Sequence, residues 1–382
     1  MSGRGPLAAF FAFGLFWGAW GVLVPAIKDQ TGASVSELGV ALVFVAATAL
    51  PAMLGAGVLL DRFGLRLLPL AAVAFGASVL LPGVAGSVWT LALALAVVGA
   101  TSGALDVAIN VAATTVEARR GVRLMQRAHA LFSAGFLTGA VLVGLAREAG
   151  AGPLPILAAV SAAVVAAAWL NRDAARLAPA PRAAGPRLRL TRPLVLLGLL
   201  CAVAFVVEGG IEAWSALFLE SELGASPALG GLGPGFFAAA MVLGRLLGER
   251  AEAYAGDLAL LVGGAAVAAS GLTLAAVSGS VPPAVAGFFL GGVGVSVAAP
   301  TLFGAGGRSA RDHERGSSVA TVTTVAYLGF VAGPPLVGAI SGAFGLRAGI
   351  ALLAATAASL AVLSASLARA VPLRRLQPAE RG

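Results

Sequence analysis

Long apolar blocks separated by short polar or Gly/Pro-marked breaks set the pattern of this chain. They run near 7–27, 36–60, 66–85, 88–116, 126–147 and 152–170, then near 193–219, 227–249, 257–278, 281–304, 316–341 and 346–369. A helix needs roughly 20 apolar residues to cross a hydrocarbon core about 30 Å thick. The pattern therefore predicts an all-α integral membrane protein with twelve transmembrane helices. The first block is too long for a secretory leader and continues into Pro25 and Lys28 without a small-residue cleavage site, so it is expected to be a retained helix.

Composition agrees with the pattern. Hydrophobic residues make up 59% of the 382 positions and charged residues 11%, with a mean hydropathy of +0.96. A soluble domain carries about 25% charged residues, so this chain could not cover a water-facing surface. Cys201 is the single cysteine, which rules out an intrachain disulfide and a cysteine-based metal site.

Charge then orients the helices. With the N-terminus inside, 22 of the 25 basic residues fall in inner segments, leaving Lys28, Arg147 and Arg347 outside. Cytoplasmic loops collect Lys and Arg, so both termini are expected in the cytoplasm, with a multi-pass chain in the cytoplasmic (inner) membrane. The net charge of +8 is spread over alternate loops and not gathered on one face, which argues for contact with membrane lipid and against nucleic acid. The stretch 171–192 is rich in Arg, Pro and Ala and is the longest polar break. It reads as a cytoplasmic linker between an N-terminal six-helix bundle (1–170) and a C-terminal one (193–382) with a short cytoplasmic tail.

Three acids interrupt apolar runs: Asp106, Glu208 and Glu212. An isolated charge at the bilayer centre costs at least about 2.5–3.5 kcal/mol on insertion scales, and such residues mark ion paths, substrate cavities or proton relays. Asp106 and Asn110 share a helix face at i, i+4, as do Glu208 and Glu212. The two glutamates should not both ionise comfortably. Gly209 and Gly210 between them are expected to weaken the helix locally. Enzyme chemistry is not expected, because the chain has no phosphate-binding loop, no His-Glu-x-x-His pair, no Gly-x-Ser-x-Gly elbow and only two histidines.

Between the second and third helices lies Gly57-Val-Leu-Leu-Asp61-Arg62-Phe-Gly64-Leu-Arg66. Together with the six-plus-six layout it resembles the signature loop of the major facilitator superfamily, with Leu65 at one usually basic position. The resemblance implies a gating role for Gly57, Asp61, Arg62, Gly64 and Arg66 at the inner face, where Asp61 could pair with an arginine or cap a helix end in one state. Gly244-Arg245-Leu-Leu-Gly248-Glu249-Arg250 looks like a degenerate copy between helices 8 and 9, which adds Arg245 and Glu249 to the gating set. Small residues and prolines around Gly333, Pro334, Pro335 and Gly338 suit close packing and a bend.

Within the superfamily, Asp106 followed by Asn110 on helix 4 resembles the fucose permease type. Glu208-Gly-Gly-Ile-Glu212-Ala-Trp214 on helix 7, with His129 on helix 5, looks like a poorly characterised bacterial branch related to it. Gly21 stands where the sugar symporters carry an acid before Pro25, which argues against fucose-like specificity. The resemblance implies a secondary active transporter working by alternating access. Asp106, Glu208 and Glu212 are candidate proton sites, and Asn110, His129, Trp20 and Trp214 candidate substrate contacts. The expected partners are protons and a small solute, neutral polar or cationic because no Lys or Arg is placed near the centre of a span; no cofactor is expected, and a monomer is. The alternatives are a drug or metabolite exporter working as a proton antiporter, or a transporter-like receptor.

Overall fold

The fold is a computed structural model that describes residues 4–120, 124–172, 190–252, 254–311, 314–368, 370 and 373. Among these residues every regular element is helical. The first half contains α1 (Arg4–Thr31), α2 (Val35–Phe63), α3 (Leu67–Val79), α4 (Val88–Arg120), α5 (Met125–Glu148) and α6 (Pro153–Leu170). The second contains α7 (Arg192–Leu223), α8 (Pro227–Gly230), α9 (Leu232–Glu252), α10 (Asp257–Val277), α11 (Val281–Val295), α12 (Ala298–Arg308), α13 (Arg315–Ala326), α14 (Leu328–Phe344) and α15 (Leu346–Leu367). Most of the expected linker, 173–189, lies outside the described residues.

Eleven described helical segments are long and apolar enough to cross a membrane. One of them, Val35–Val84, is 50 residues long, and at 1.5 Å per residue it exceeds any bilayer. It divides into α2 and α3 at Gly64, whose φ of 68° lies in the left-handed region that favours glycine. Counting α2 and α3 separately gives the twelve helices that the apolar blocks predict. Several of those helices are discontinuous. The eighth is α8 and α9 broken at Gly231, the tenth is α11 and α12, and the eleventh is α13 and α14. The interruption of the eleventh falls at Tyr327, and α14 runs unbroken through Pro334 and Pro335. The helix interruption thus lies toward the helix start and not at those prolines.

Packing divides the chain into two units: Met1–Ala183 with Ala213–Gly235, and Ala184–Glu212 with Phe236–Gly382. In the first unit α1 is the innermost helix, with 72% of its span buried. It runs parallel to α5 in a constant register, since a Cβ on Gly14 or Gly18 would overlap the carbonyl oxygen of Phe132 or Phe136. The α2 and α4 helices pair in the same way, with Gly99 against Val45 and Gly103 against Ala49. Helix–helix association in lipid has no hydrophobic driving force, so small residues that let backbones approach supply the contact.

The second unit repeats both pairings. Gly329 and Gly333 of α14 meet Ala202 and Val206 of α7, and Gly244 and Gly248 of α9 meet Val293 and Val297 on the α11 side. The same parallel pairs in each half are the mark of an internal structural repeat. Around both units large apolar side chains face outward, such as Leu54, Leu70, Phe344 and Val362, which a hydrocarbon solvent accepts and water does not. Trp89 at the start of α4 and Trp169 at the end of α6 are exposed, and the Arg172 guanidinium lies 3.7 Å over the Trp169 ring. Amphipathic rings of this kind sit at the two headgroup levels.

Candidate transport site

Asp106 lies midway along α4 and is half-buried. The Asn110 side-chain amide donates to its backbone oxygen at 2.8 Å and to its Oδ1 at 3.1 Å, so the i, i+4 pairing expected from the spacing is a direct contact. One turn earlier, Gly103 holds α4 tightly to α2, because a Cβ there would lie 2.6 Å from the Ala49 carbonyl oxygen. The carboxyl is thus carried on a helix whose backbone is fixed against its neighbour.

His129 is not brought to Asp106. It lies four residues into α5, about 6 Å from that helix's inner end, whereas Asp106 lies 14 residues from the end of α4, about 21 Å deep. His129 is exposed and meets the Phe10 ring edge-on at 5.2 Å. Trp20 is 5% exposed and stacks on Phe16 in an aromatic cluster that joins Phe13 of α1 to Phe75 of α3. Trp17, which sequence reasoning passed over, is the more open tryptophan of that helix. Trp214 is fully buried, and its Nε1 has no hydrogen-bond partner among the described residues.

In the second unit Glu208 and Glu212 are half-buried on consecutive turns of α7, and neither carboxylate forms a hydrogen bond or ion pair among the described residues. The helix is continuous through Gly209 and Gly210, contrary to the local weakening expected from the sequence. Those glycines instead make room for neighbours: a Cβ on Gly209 would lie 2.9 Å from the Phe330 ring, and one on Gly210 would run into Leu353. The helix can therefore pack closely on α14 and α15 along one side while its glutamates occupy another.

Arg245 lies inside α9, not in a connection between helices, and is within electrostatic range of both Glu208 and Glu212. Two of the intramembrane acids therefore have a basic neighbour, although no Lys or Arg is placed near the centre of a span. The register explains it: α7 and α9 are antiparallel and meet where Gly233 packs on Ser215. The Arg245 backbone then sits a little more than one turn inward of Glu208, within reach of a long side chain. Sequence reasoning missed this because Gly244-Arg245 was read as part of a loop motif between helices, although it falls inside the apolar block 227–249.

Of the remaining gating candidates, Asp61, Arg62 and Arg66 are exposed near the end of α2, and the Arg62 guanidinium lies 5.3 Å from the Phe63 ring centroid. Gly57 is open, since a Cβ there would meet nothing within 4 Å, so it does not mediate close helix approach in this structure. Glu249 is exposed on the last turns of α9. The inner end of the second unit is instead tied by Arg308 of α12, which forms an ion pair with buried Asp257 at the start of α10 and lies 3.9 Å from Glu252.

Residues 7–317 match the Major Facilitator Superfamily. The chain is 36% identical to an uncharacterized MFS-type transporter of Yersinia pestis over 87% of both chains. It is 30% identical to the membrane protein MosC of Rhizobium meliloti, over 94% of this chain and 88% of that one. Two solved structures share the fold at low identity. A bacterial homologue of the human lysosomal transporter Spinster, in an inward-facing and occupied conformation, superposes with a TM-score of 0.76 at 15% identity, covering 99% of this chain and 98% of that one. The nucleoside transporter NupG gives 0.76 at 10% identity, covering 97% and 100%. With two units of repeated helix pairs, twelve apolar helices and a superfamily match along most of its length, the chain belongs to the Major Facilitator Superfamily and is a multi-pass membrane transporter.

Proposed function

We propose that this transporter is proton-coupled and carries a small neutral polar or cationic solute across the cytoplasmic membrane by alternating access. The carrying observation is the state of Glu208 and Glu212, two membrane-embedded carboxyls with no hydrogen bond or ion pair among the described residues. Arg245 lies within electrostatic range but makes no ion pair with either carboxylate among the described residues. A charge left without a direct partner at such a depth is costly, which supports a partner that comes and goes: a proton, or a donor group on the solute. Asp106 is the third site, with Asn110 holding its carboxyl in one orientation. Counting Asp106, Glu208 and Glu212 against Arg245, acids outnumber bases, which supports a neutral or cationic cargo over an anionic one.

In this reading Asp61, Arg62 and Arg66 act at the inner face in one conformational state, and Arg245 sets the balance between proton loading and release at the glutamates. Export by proton antiport uses the same sites with the solute moving the other way. The test is uptake of a radiolabelled panel of neutral sugars, amino compounds and organic cations into proteoliposomes, with and without an imposed proton gradient. Accumulation that needs the gradient and disappears in Glu208→Gln supports the reading. Accumulation of a panel member that ignores the gradient contradicts proton coupling.

A further inference from the structure

The geometry points to Arg147 and Glu220 as a latch that closes the outer end of this transporter. Arg147 ends α5 and Glu220 lies near the end of α7, 73 residues apart in sequence, on the side where the arginine distribution leaves few positive charges. The guanidinium grips the carboxylate with both arms, at 2.6 and 2.9 Å, and donates at 2.7 Å to the backbone oxygen of Val22 on α1. Arg147 and Glu220 are 8% and 13% exposed, so the pair is largely out of water and three helices share one charged knot. A planar guanidinium suits this double contact in a way a lysine does not.

The surroundings are shaped to hold the knot. Gly230 leaves room for the Glu220 carboxylate, because a Cβ there would lie 2.5 Å from its Oε1. Gly144 and Gly231 bring α5 against the short α8, whose Ala228 N–H donates to Glu148 at 3.1 Å. Residues 213–235 belong to the same compact unit as the first six helices. Beneath the knot Trp214 and Ser215 are fully buried, about one and one-half turns inward of Glu220 along α7.

The latch rests on the alternating-access reading: with the pair formed, the outer end of α7 is held shut, and opening to that side requires the carboxylate to leave the guanidinium. A bidentate buried pair is suited to this role, since it is either fully made or leaves two unpaired charges that water must enter to solvate. Neither residue touches the intramembrane carboxyls of the proposed proton sites, so the latch governs access and not coupling.

Its test reads accessibility and needs no substrate. Ser215→Cys is introduced with Cys201→Ser; the Ser215 hydroxyl has no hydrogen-bond partner among the described residues. The purified protein in liposomes is then labelled with a membrane-impermeant maleimide added at the outer side. Arg147→Gln and Glu220→Gln should each label about tenfold faster or more, and the double variant no faster than either single one, because the second substitution removes a partner already lost. Arg147→Lys, which keeps the charge without the double grip, should fall between and serves if the neutral variants fold poorly. Unchanged rates in every folded variant, or single effects that multiply in the double variant, would overturn the latch. Failure of solute-coupled transport alone would count against the proton sites and leave the labelling result standing.

Discussion

Asn110 turns its side-chain amide back onto Asp106, donating to Oδ1 at 3.1 Å while also satisfying the backbone oxygen one turn below at 2.8 Å. Hydrogen bonds to charged groups are worth about 1.5–3 kcal/mol. Asn110→Ala should therefore lower coupled transport roughly ten- to a hundredfold while leaving the melting temperature in detergent within a few degrees. A large loss of thermal stability with normal transport by the folded fraction would make Asn110 a structural residue instead.

The close-packed glycines make a separate prediction about stability. Gly18→Val forces a side chain onto the Phe136 carbonyl at the α1–α5 crossing, and overpacking of this kind costs about 1–3 kcal/mol or more. Gly57→Ala, at a position where a Cβ meets nothing within 4 Å, should melt like the parent protein. Thermal unfolding of both variants in one detergent checks the contrast, and equal melting temperatures would contradict the packing described for α1.

Gly64 separates α2 from α3 with a φ of 68°. With ψ at −164° the backbone lies in a region that is essentially glycine-only and costs another residue about 1–3 kcal/mol, so Gly64→Ala should lower thermal stability by that order without abolishing insertion. No change in melting would show that the turn relaxes to another conformation.

Buried Asp257 and its partner Arg308 form the ion pair that ties α10 to α12. Removing one member of a buried pair weakens the support of the charge that stays behind, at a cost of up to about 3 kcal/mol. Arg308→Met should therefore destabilise the protein, and adding Asp257→Leu should recover part of the loss. A double variant less stable than the single would mean that Asp257 draws its support from other neighbours.

Much of this was legible in the sequence, because bilayer thickness fixes helix length and apolar blocks report it directly. The first block, 7–27, became Arg4–Thr31, and the ninth, 257–278, became Asp257–Val277. The Asp106–Asn110 contact was readable too, since it depends only on helical periodicity. What escaped were relations set by tertiary packing between distant positions. Arg147 stood out only as one of three basic residues outside, and nothing local tied it to Glu220. Arg245 was assigned to a connection because Gly244 to Arg250 resembles the signature loop, and only the α7–α9 register brings it within electrostatic range of Glu208 and Glu212. The breaks at Gly231 and Tyr327 likewise lie inside apolar runs that give no sign of them.

The most direct test of proton coupling is proton movement itself. Purified protein in liposomes holding a pH-sensitive dye is exposed in turn to neutral sugars, amino compounds and organic cations, alongside Asp106→Asn and Glu208→Gln. The account predicts that at least one solute drives a pH change in the wild type that is absent from both variants. A solute that is carried by all three proteins with no pH change would contradict it.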